Sequence, residues 1–200
     1  MATSKTYKFN EAERDLSDFN YAYSLLPKEH KEFDFREDCI ANYKEGHPEE
    51  FDYVSIITKK KYTAGVTFRA KCSFEKFGAP LIVFTDDVSP NEKGTLIYGL
   101  HFEVVAWEKG CNVWHVAPNP GAEHPVKSSL IAFSEFKIDP NEPADISVTV
   151  KKQNGRPCRL EVDINGHRFG CENVDIPEEF HIGITACEGA NKFYEFSIEE

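Results

Sequence analysis

The sequence predicts an all-β fold, a two-sheet antiparallel β-sandwich, and three observations carry that reading. The first is a hairpin signature near the C-terminus. Leu160, Val162 and Ile164 alternate with Glu161 and Asp163, and Asn165-Gly166 then leads into His167-Arg168-Phe169. Asn-Gly between alternating apolar residues marks a two-residue turn, because both turn residues need φ > 0. That turn sets Ile164 opposite His167, Val162 opposite Phe169 and Leu160 opposite Cys171. It also sets Asp163 opposite Arg168, an opposite-charge pair that supports the register independently. The second observation is composition: 16 Phe and 8 Tyr with a single Met suit pleated sheet better than helix. The third is Ala79 to Thr85, apolar on both faces, as a strand buried mid-sandwich must be.

Along the chain, residues 1–50 are the least regular. Asn10 before Glu11-Ala12-Glu13-Arg14 is a helix-cap pattern, whereas Tyr21-Ala22-Tyr23 and Phe33-Asp34-Phe35 alternate like short strands. Gly46-His47-Pro48 reads as a loop. Strands are expected over 53–58 and 64–74, with Val66, Phe68 and Ala70 on one face, and then over 79–85. Residues 86–94 form a polar loop. Residues 95–107 read as one long strand, with Glu108-Lys109-Gly110 as a three-residue hairpin loop carrying Gly at the left-handed position. Residues 112–116 return. Three prolines between Ala117 and Pro125 exclude a strand interior there. Strands follow at 129–138 and 146–152, with Asp139-Pro140-Asn141-Glu142-Pro143 as a rigid turn between them. No repeat, linker or low-complexity tract divides the chain. It reads as a single domain over 1–200 with ten to thirteen strands.

Composition limits the function classes. A net charge of −11 argues against nucleic acid or an anionic membrane surface as partner. No apolar run approaches the ~18 residues that span a bilayer. The stretch through Phe9 has no apolar core of a secretory leader, which points to a cytoplasmic protein. Six cysteines (Cys39, Cys72, Cys111, Cys158, Cys171, Cys187) lack Cys-x-x-Cys spacing. The hairpin register leaves Cys158 only diagonal to Cys171, at roughly 7–8 Å, too far for a bridge. Buried, reduced thiols are therefore expected.

The central segment carries the candidate site. On 95–107 the odd positions, including His101, Glu103, Val105 and Trp107, share one face, and the even positions form the core face. The three-residue loop pairs Trp107 with Cys111 and Glu103 with His115. His101, Glu103 and His115 then cluster as candidate catalytic residues, able to act as acid and base. Counting the loop as two residues would move His115 to the core face and dissolve the cluster. Trp107 and Trp114, the chain's two tryptophans, are candidate substrate-binding residues, since flat rings stack on the C–H faces of sugars; core filling is the alternative reading of Trp114, whereas Trp107 lies beside the turn. Arg69, with Lys71 on the same outward strand face, is a further candidate for hydroxyls or carboxylates. Asp86, Asp87, Asn91 and Glu92 offer hard oxygens but no Ca²⁺-loop spacing, so no metal and no cofactor are expected. Signatures of serine hydrolases, nucleotide-binding loops and zinc proteases are absent from the sequence.

The run "KKQNGRPCRLEVDINGHRFG" with "FHIGITACEGANKFYEFSIEE", and the central "YGLHFEVVAWEKGCNVWHV", resembles the concanavalin A-like lectin/glucanase jelly rolls. The resemblance covers about residues 50–200. It is nearest to the small bacterial carbohydrate-binding and 3-keto-glycoside hydrolase-like members. It implies a jelly-roll sandwich and a saccharide ligand on the concave face, and the superfamily holds both binding proteins and enzymes. Its glucanases carry Glu-x-Asp-x-x-Glu on a concave strand. The nearest match here, Glu32-Phe33-Asp34-Phe35-Arg36-Glu37, has its last acid one face out and lies in another part of the chain. Three functions stay open: carbohydrate binding, glycoside cleavage by the His/Glu cluster, and an accessory subunit of a larger carbohydrate-active enzyme; the partners these imply are a saccharide and a partner protein or a second copy of the chain.

Overall fold

The computed structural model describes residues 3–26, 29–75 and 77–200, and among them every regular element is a strand. The first two residues of the N-terminal stretch lie outside the described residues. The first half contains β1 (Ser4–Lys8), β2 (Phe19–Tyr23), β3 (Asp34–Phe35), β4 (Ile40–Ala41), β5 (Val54–Thr58), β6 (Tyr62–Thr63), β7 (Thr67–Glu75), β8 (Pro80–Thr85), β9 (Val88–Pro90) and β10 (Leu96–Tyr98). The second half contains β11 (His101–Trp107), β12 (Gly110–Pro118), β13 (Val126–Glu135), β14 (Ala144–Gln153), β15 (Arg156–Ile164), β16 (His167–Glu172), β17 (Glu179–Ala186) and β18 (Ala190–Glu199). The described strands outnumber the expectation because the first fifty residues supply four short ones and the 86–94 loop supplies β9.

Two sheets result. One runs β16-β15-β14-β7-β18-β4-β3, with β1 also on β18. The other runs β13-β12-β11-β8-β17-β5-β2-β10-β9, with β6 also on β17. The described pairs are antiparallel apart from β2 with β10. The sheets face each other across one core in which Phe68, Val148, Val162 and Phe196 meet Phe84, Phe102, Val104 and Ile184. Phe84 and Phe102 stack with ring centres 5.1 Å apart, and Phe68 meets Phe84 edge-on at 6.1 Å. Phe169, opposite the buried Val162, is only partly buried, because β16 is an edge strand.

Two local expectations change. Asn10 does cap a turn, accepting from the Glu13 N–H at 3.0 Å and donating to the Glu13 carboxylate at 3.0 Å, but no helix follows it. The long 95–107 strand is broken at Gly99-Leu100. A Cβ on Gly99 would lie 2.1 Å from Asp87 Oδ2, and that carboxylate instead takes the Leu100 N–H at 3.0 Å. Thr85 Oγ1 donates to the Leu100 carbonyl at 2.6 Å. The break lets β10 pair with β9 and β2 while β11 pairs with β8 and β12.

The C-terminal hairpin has the expected register, with Ile164 opposite His167, Val162 opposite Phe169 and Asp163 opposite Arg168. Asn165 (φ 51°) and Gly166 (φ 89°) form the turn. Arg168 Nε donates to Asp163 Oδ2 at 2.6 Å and holds that carboxyl below its ordinary value. A depressed carboxyl stabilises the fold above its unfolded pKa of about 3.9 and loses that contribution as pH falls through the folded value. The pair is exposed, so Asp163→Asn should cost at most about 1 kcal/mol. Gly166→Val forces a β-branched residue to positive φ and should cost at least about 2 kcal/mol. Thermal unfolding of the two variants checks the order, and a silent Gly166→Val would contradict the turn.

All six cysteines are free: Cys39, Cys72, Cys111 and Cys158 are buried, and Cys171 and Cys187 are half-buried. Cys171 sits opposite Leu160, as the register requires.

Candidate functional site

The β11–β12 hairpin determines which side chains can meet. Trp107 pairs with Gly110, Val105 with Asn112, Glu103 with Trp114 and Phe102 with His115. The loop is therefore the two residues Glu108-Lys109, one fewer than the three expected. Gly110 (φ 137°) belongs to the return strand, where its missing side chain admits β13: a Cβ would lie 2.1 Å from the Ser134 carbonyl. Shifting a register by one residue turns every side chain of the strand over. His115 accordingly leaves the expected cluster. Its ring packs 5.1 Å from that of Phe102 on the core side, with Nε2 3.4 Å from Asp175 Oδ2 and without a hydrogen-bond partner among the described residues.

The same shift brings Trp114 beside Glu103. From His101 onward the even residues Phe102, Val104 and Ala106 enter the inter-sheet core, and the odd ones face out. On that outer face Glu103, Val105 and Trp107 of β11 lie beside Asn112 and Trp114 of β12. They line a groove of about 760 Å³ together with Tyr53, Cys187 and Glu188. A bulge between Val113 and Trp114 leaves Ile131 of β13 unmatched and sets Leu130 opposite Trp114. Bulges of this kind re-aim side chains next to sites.

Behind the groove, Ala22, Ile57, Leu81, Val83 and Tyr98 form a second apolar layer on the outer face of the sheet. Tyr98 Oη lies 2.6 Å from Tyr53 Oη and donates to Ser55 Oγ at 3.2 Å, and Ser55 Oγ lies 2.7 Å from Thr185 Oγ1. Burial pushes the Tyr98 hydroxyl up to about 12, the Tyr53 hydroxyl well above its ordinary value and the Cys187 thiol likewise. At neutral pH these groups are uncharged hydrogen-bonding partners, and Cys187 is not a thiolate nucleophile.

His101 is fully buried, packed edge-on against Tyr98 with ring centres 4.8 Å apart. Its Nδ1 lies 2.7 Å from the Gly99 carbonyl and its Nε2 3.1 Å from Glu103 Oε1. A carbonyl only accepts, so Nδ1 carries a hydrogen, and the Nε2–Oε1 contact then holds one proton between imidazole and carboxyl. The Glu103 side chain, 15% exposed, is thereby fixed at the groove surface. Trp107 Nε1 is shut off from solvent with no acceptor among the described residues, and Lys109 Nζ lies 5.9 Å from the Trp107 ring centre.

Of the six residues singled out from sequence, the structure brings His101, Glu103, Trp107 and Trp114 together. His115 points to the other side of its sheet. Arg69 is on β7 in the opposite sheet, where its Nη1 donates to Glu199 Oε2 at 3.0 Å, and Lys71 sits across from Asp145 and Glu195. Glu32, Asp34 and Glu37 do not line the groove: Asp34 starts β3, at the edge of that opposite sheet, and its carboxylate accepts from Arg36 Nε at 3.1 Å. Asp87 and Asn91 turn side-chain oxygens onto backbone N–H groups, and the described residues contain no cluster of metal-ligating side chains. Asn112, Tyr53 and Cys187 were not anticipated. Asn112 follows directly from the two-residue loop, because that register puts it opposite Val105.

No family model matches the chain, and no curated protein sequence matches it. Solved structures share its fold. The carbohydrate binding module CBM66 from Bacillus subtilis is 9% identical over 88% of this chain and 92% of its own, with a TM-score of 0.59. β-Agarase A from Zobellia galactanivorans is 9% identical over 100% of this chain and 93% of its own, with a TM-score of 0.62. The carbohydrate recognition domain of Emp47p is 15% identical, covering 98% and 93%, with a TM-score of 0.57. At such identities the likeness is one of fold, a two-sheet antiparallel jelly-roll sandwich.

Proposed function

We propose that the protein binds a saccharide in the groove around Glu103, Trp107 and Trp114. The observation that carries this reading is the placement of the chain's two tryptophans and a braced carboxylate on one outward sheet face, around a groove of about 760 Å³. Small-ligand sites combine mostly apolar walls with a few fixed polar groups, and volumes of roughly 300–1,000 Å³ are usual. The indoles supply flat surfaces for the C–H faces of sugar rings. Glu103, Asn112 and the Tyr53 hydroxyl supply acceptors and donors for hydroxyls. The carbohydrate binding module and the lectin domain that share the fold support the reading, as does β-agarase A. Six free thiols, four of them buried, suit a reducing, cytoplasmic setting.

One observation favours cleavage as a second reading. His101 Nε2 lies 3.1 Å from Glu103 Oε1 at the groove surface, an imidazole–carboxyl pairing of the kind that acid–base chemistry uses. A retaining mechanism would also need a second carboxyl about 5–5.5 Å away, and Glu188 and Glu108 are the other carboxylates on the groove wall. Glu103→Gln separates the two readings. Under binding alone, affinity should fall only several-fold, since an amide still accepts one hydrogen bond. Under cleavage, turnover should vanish while affinity stays near that of the wild type, because the amide carries no transferable proton. Isothermal titration and a reducing-end assay on the same glycans read both quantities.

A further inference from the structure

One groove residue is built at a cost that the folded chain alone does not recover. Phe77, in the connection between β7 and β8, lines the groove yet is 91% exposed. Its φ is 65°, a left-handed conformation that is a genuine outlier for a bulky side chain. Leaving a phenyl ring in water forgoes the stabilisation that burial gives, and the backbone conformation adds strain. The two residues that follow it are anchored to the backbone. Gly78 donates its N–H to the Glu75 carbonyl at 2.8 Å, and Ala79 donates to the Glu188 carbonyl at 3.0 Å. A Cβ on Gly78 would lie 2.5 Å from the Ala190 carbonyl and 2.6 Å from Phe74 Cβ, so the connection is seated directly against the start of β18.

The register places this ring. Leu81 of β8 lies opposite Val105 of β11, and Pro80 lies opposite Ala186 of β17. The chain just before Pro80 therefore leaves the sheet at the end where β11 reaches Trp107 and β17 leads into Cys187 and Glu188. Phe77 stands at that end of the groove, beyond Glu103 and Trp114.

We infer that Phe77 is a ligand-contacting aromatic that forms an end subsite of the groove, stacking on a further sugar unit of a neutral oligosaccharide. The inference rests on the saccharide reading above. Pyranose rings present two apolar faces, and an exposed phenyl ring at the end of the groove can cover one of them. Strained residues on otherwise well-anchored segments cluster at such ligand clamps.

The test compares wild type, Phe77→Gly and Phe77→Tyr by calorimetric titration with short and long neutral gluco-, galacto- and manno-configured oligosaccharides. Glycine accepts φ 65° without strain, and the lost ring makes almost no protein contact, so the unfolding midpoint of Phe77→Gly should not fall. Its affinity for the long oligosaccharides should drop about tenfold, and that for the short ones should hold. Phe77→Tyr should bind as wild type. Wild-type affinity for long chains in Phe77→Gly would overturn the inference and leave the groove reading standing. Failure of wild type to bind any of the sugars would overturn the groove reading, and this inference with it.

Discussion

Replacing His101 with alanine is expected to lower the unfolding midpoint by roughly 6–20 °C and to weaken saccharide binding at least about tenfold. The stability loss has two sources. The imidazole is fully buried, so truncation leaves a void beside Tyr98. It also strands the Gly99 carbonyl and Glu103, which share the ring at 2.7 and 3.1 Å. The void and the two stranded polar groups together cost about 3–5 kcal/mol, and each kcal/mol moves the midpoint of a chain this size by about 2–4 °C. The affinity loss has a separate cause, because Glu103 loses the donor that fixes its carboxylate. His101→Gln keeps an N–H near the position of Nε2. It should restore much of the binding while remaining destabilised, since it gives up the Gly99 contact. Calorimetry and titration of both variants decide the matter. Equal binding losses in the two would mean that His101 serves only the fold.

The C-terminal hairpin was legible from sequence because Asn165-Gly166 admits one turn geometry, and one geometry sets one register. The double-sided apolar run over β8 was legible for a similar reason: Leu81 and Val83 pack on the outer layer while Ile82 and Phe84 pack in the core. The central hairpin was not. Glu108-Lys109-Gly110 suits either a two- or a three-residue loop, and the choice depends on the close approach of Ser134 from β13, some 25 residues away in sequence. That single ambiguity moved His115 off the face and brought Trp114 onto it. The break at Gly99 was equally hidden, since it depends on Asp87 reaching back to the Leu100 N–H. Arg69 misled because its strand is outward-facing on the sheet that does not carry the groove. Phe77 gave no pattern signal, and only its backbone conformation and exposure set it apart.

The largest effect on binding is expected from the two tryptophans. Each presents an indole to the groove from a paired strand, Trp107 at the end of β11 and Trp114 opposite Glu103. Aromatic anchors of this kind contribute roughly 2 kcal/mol or more when truncated, about thirtyfold in affinity each. Neither indole belongs to the inter-sheet core, so the variants should stay folded. A glycan array probed side by side with wild type and the Trp107→Ala/Trp114→Ala double variant is therefore the most direct measurement of the site. The expected result is capture of neutral oligosaccharides by wild type and none by a double variant whose unfolding midpoint shows it to be folded. Equal capture by both proteins, or capture of no glycan by wild type, would contradict the assignment of this groove as a saccharide site.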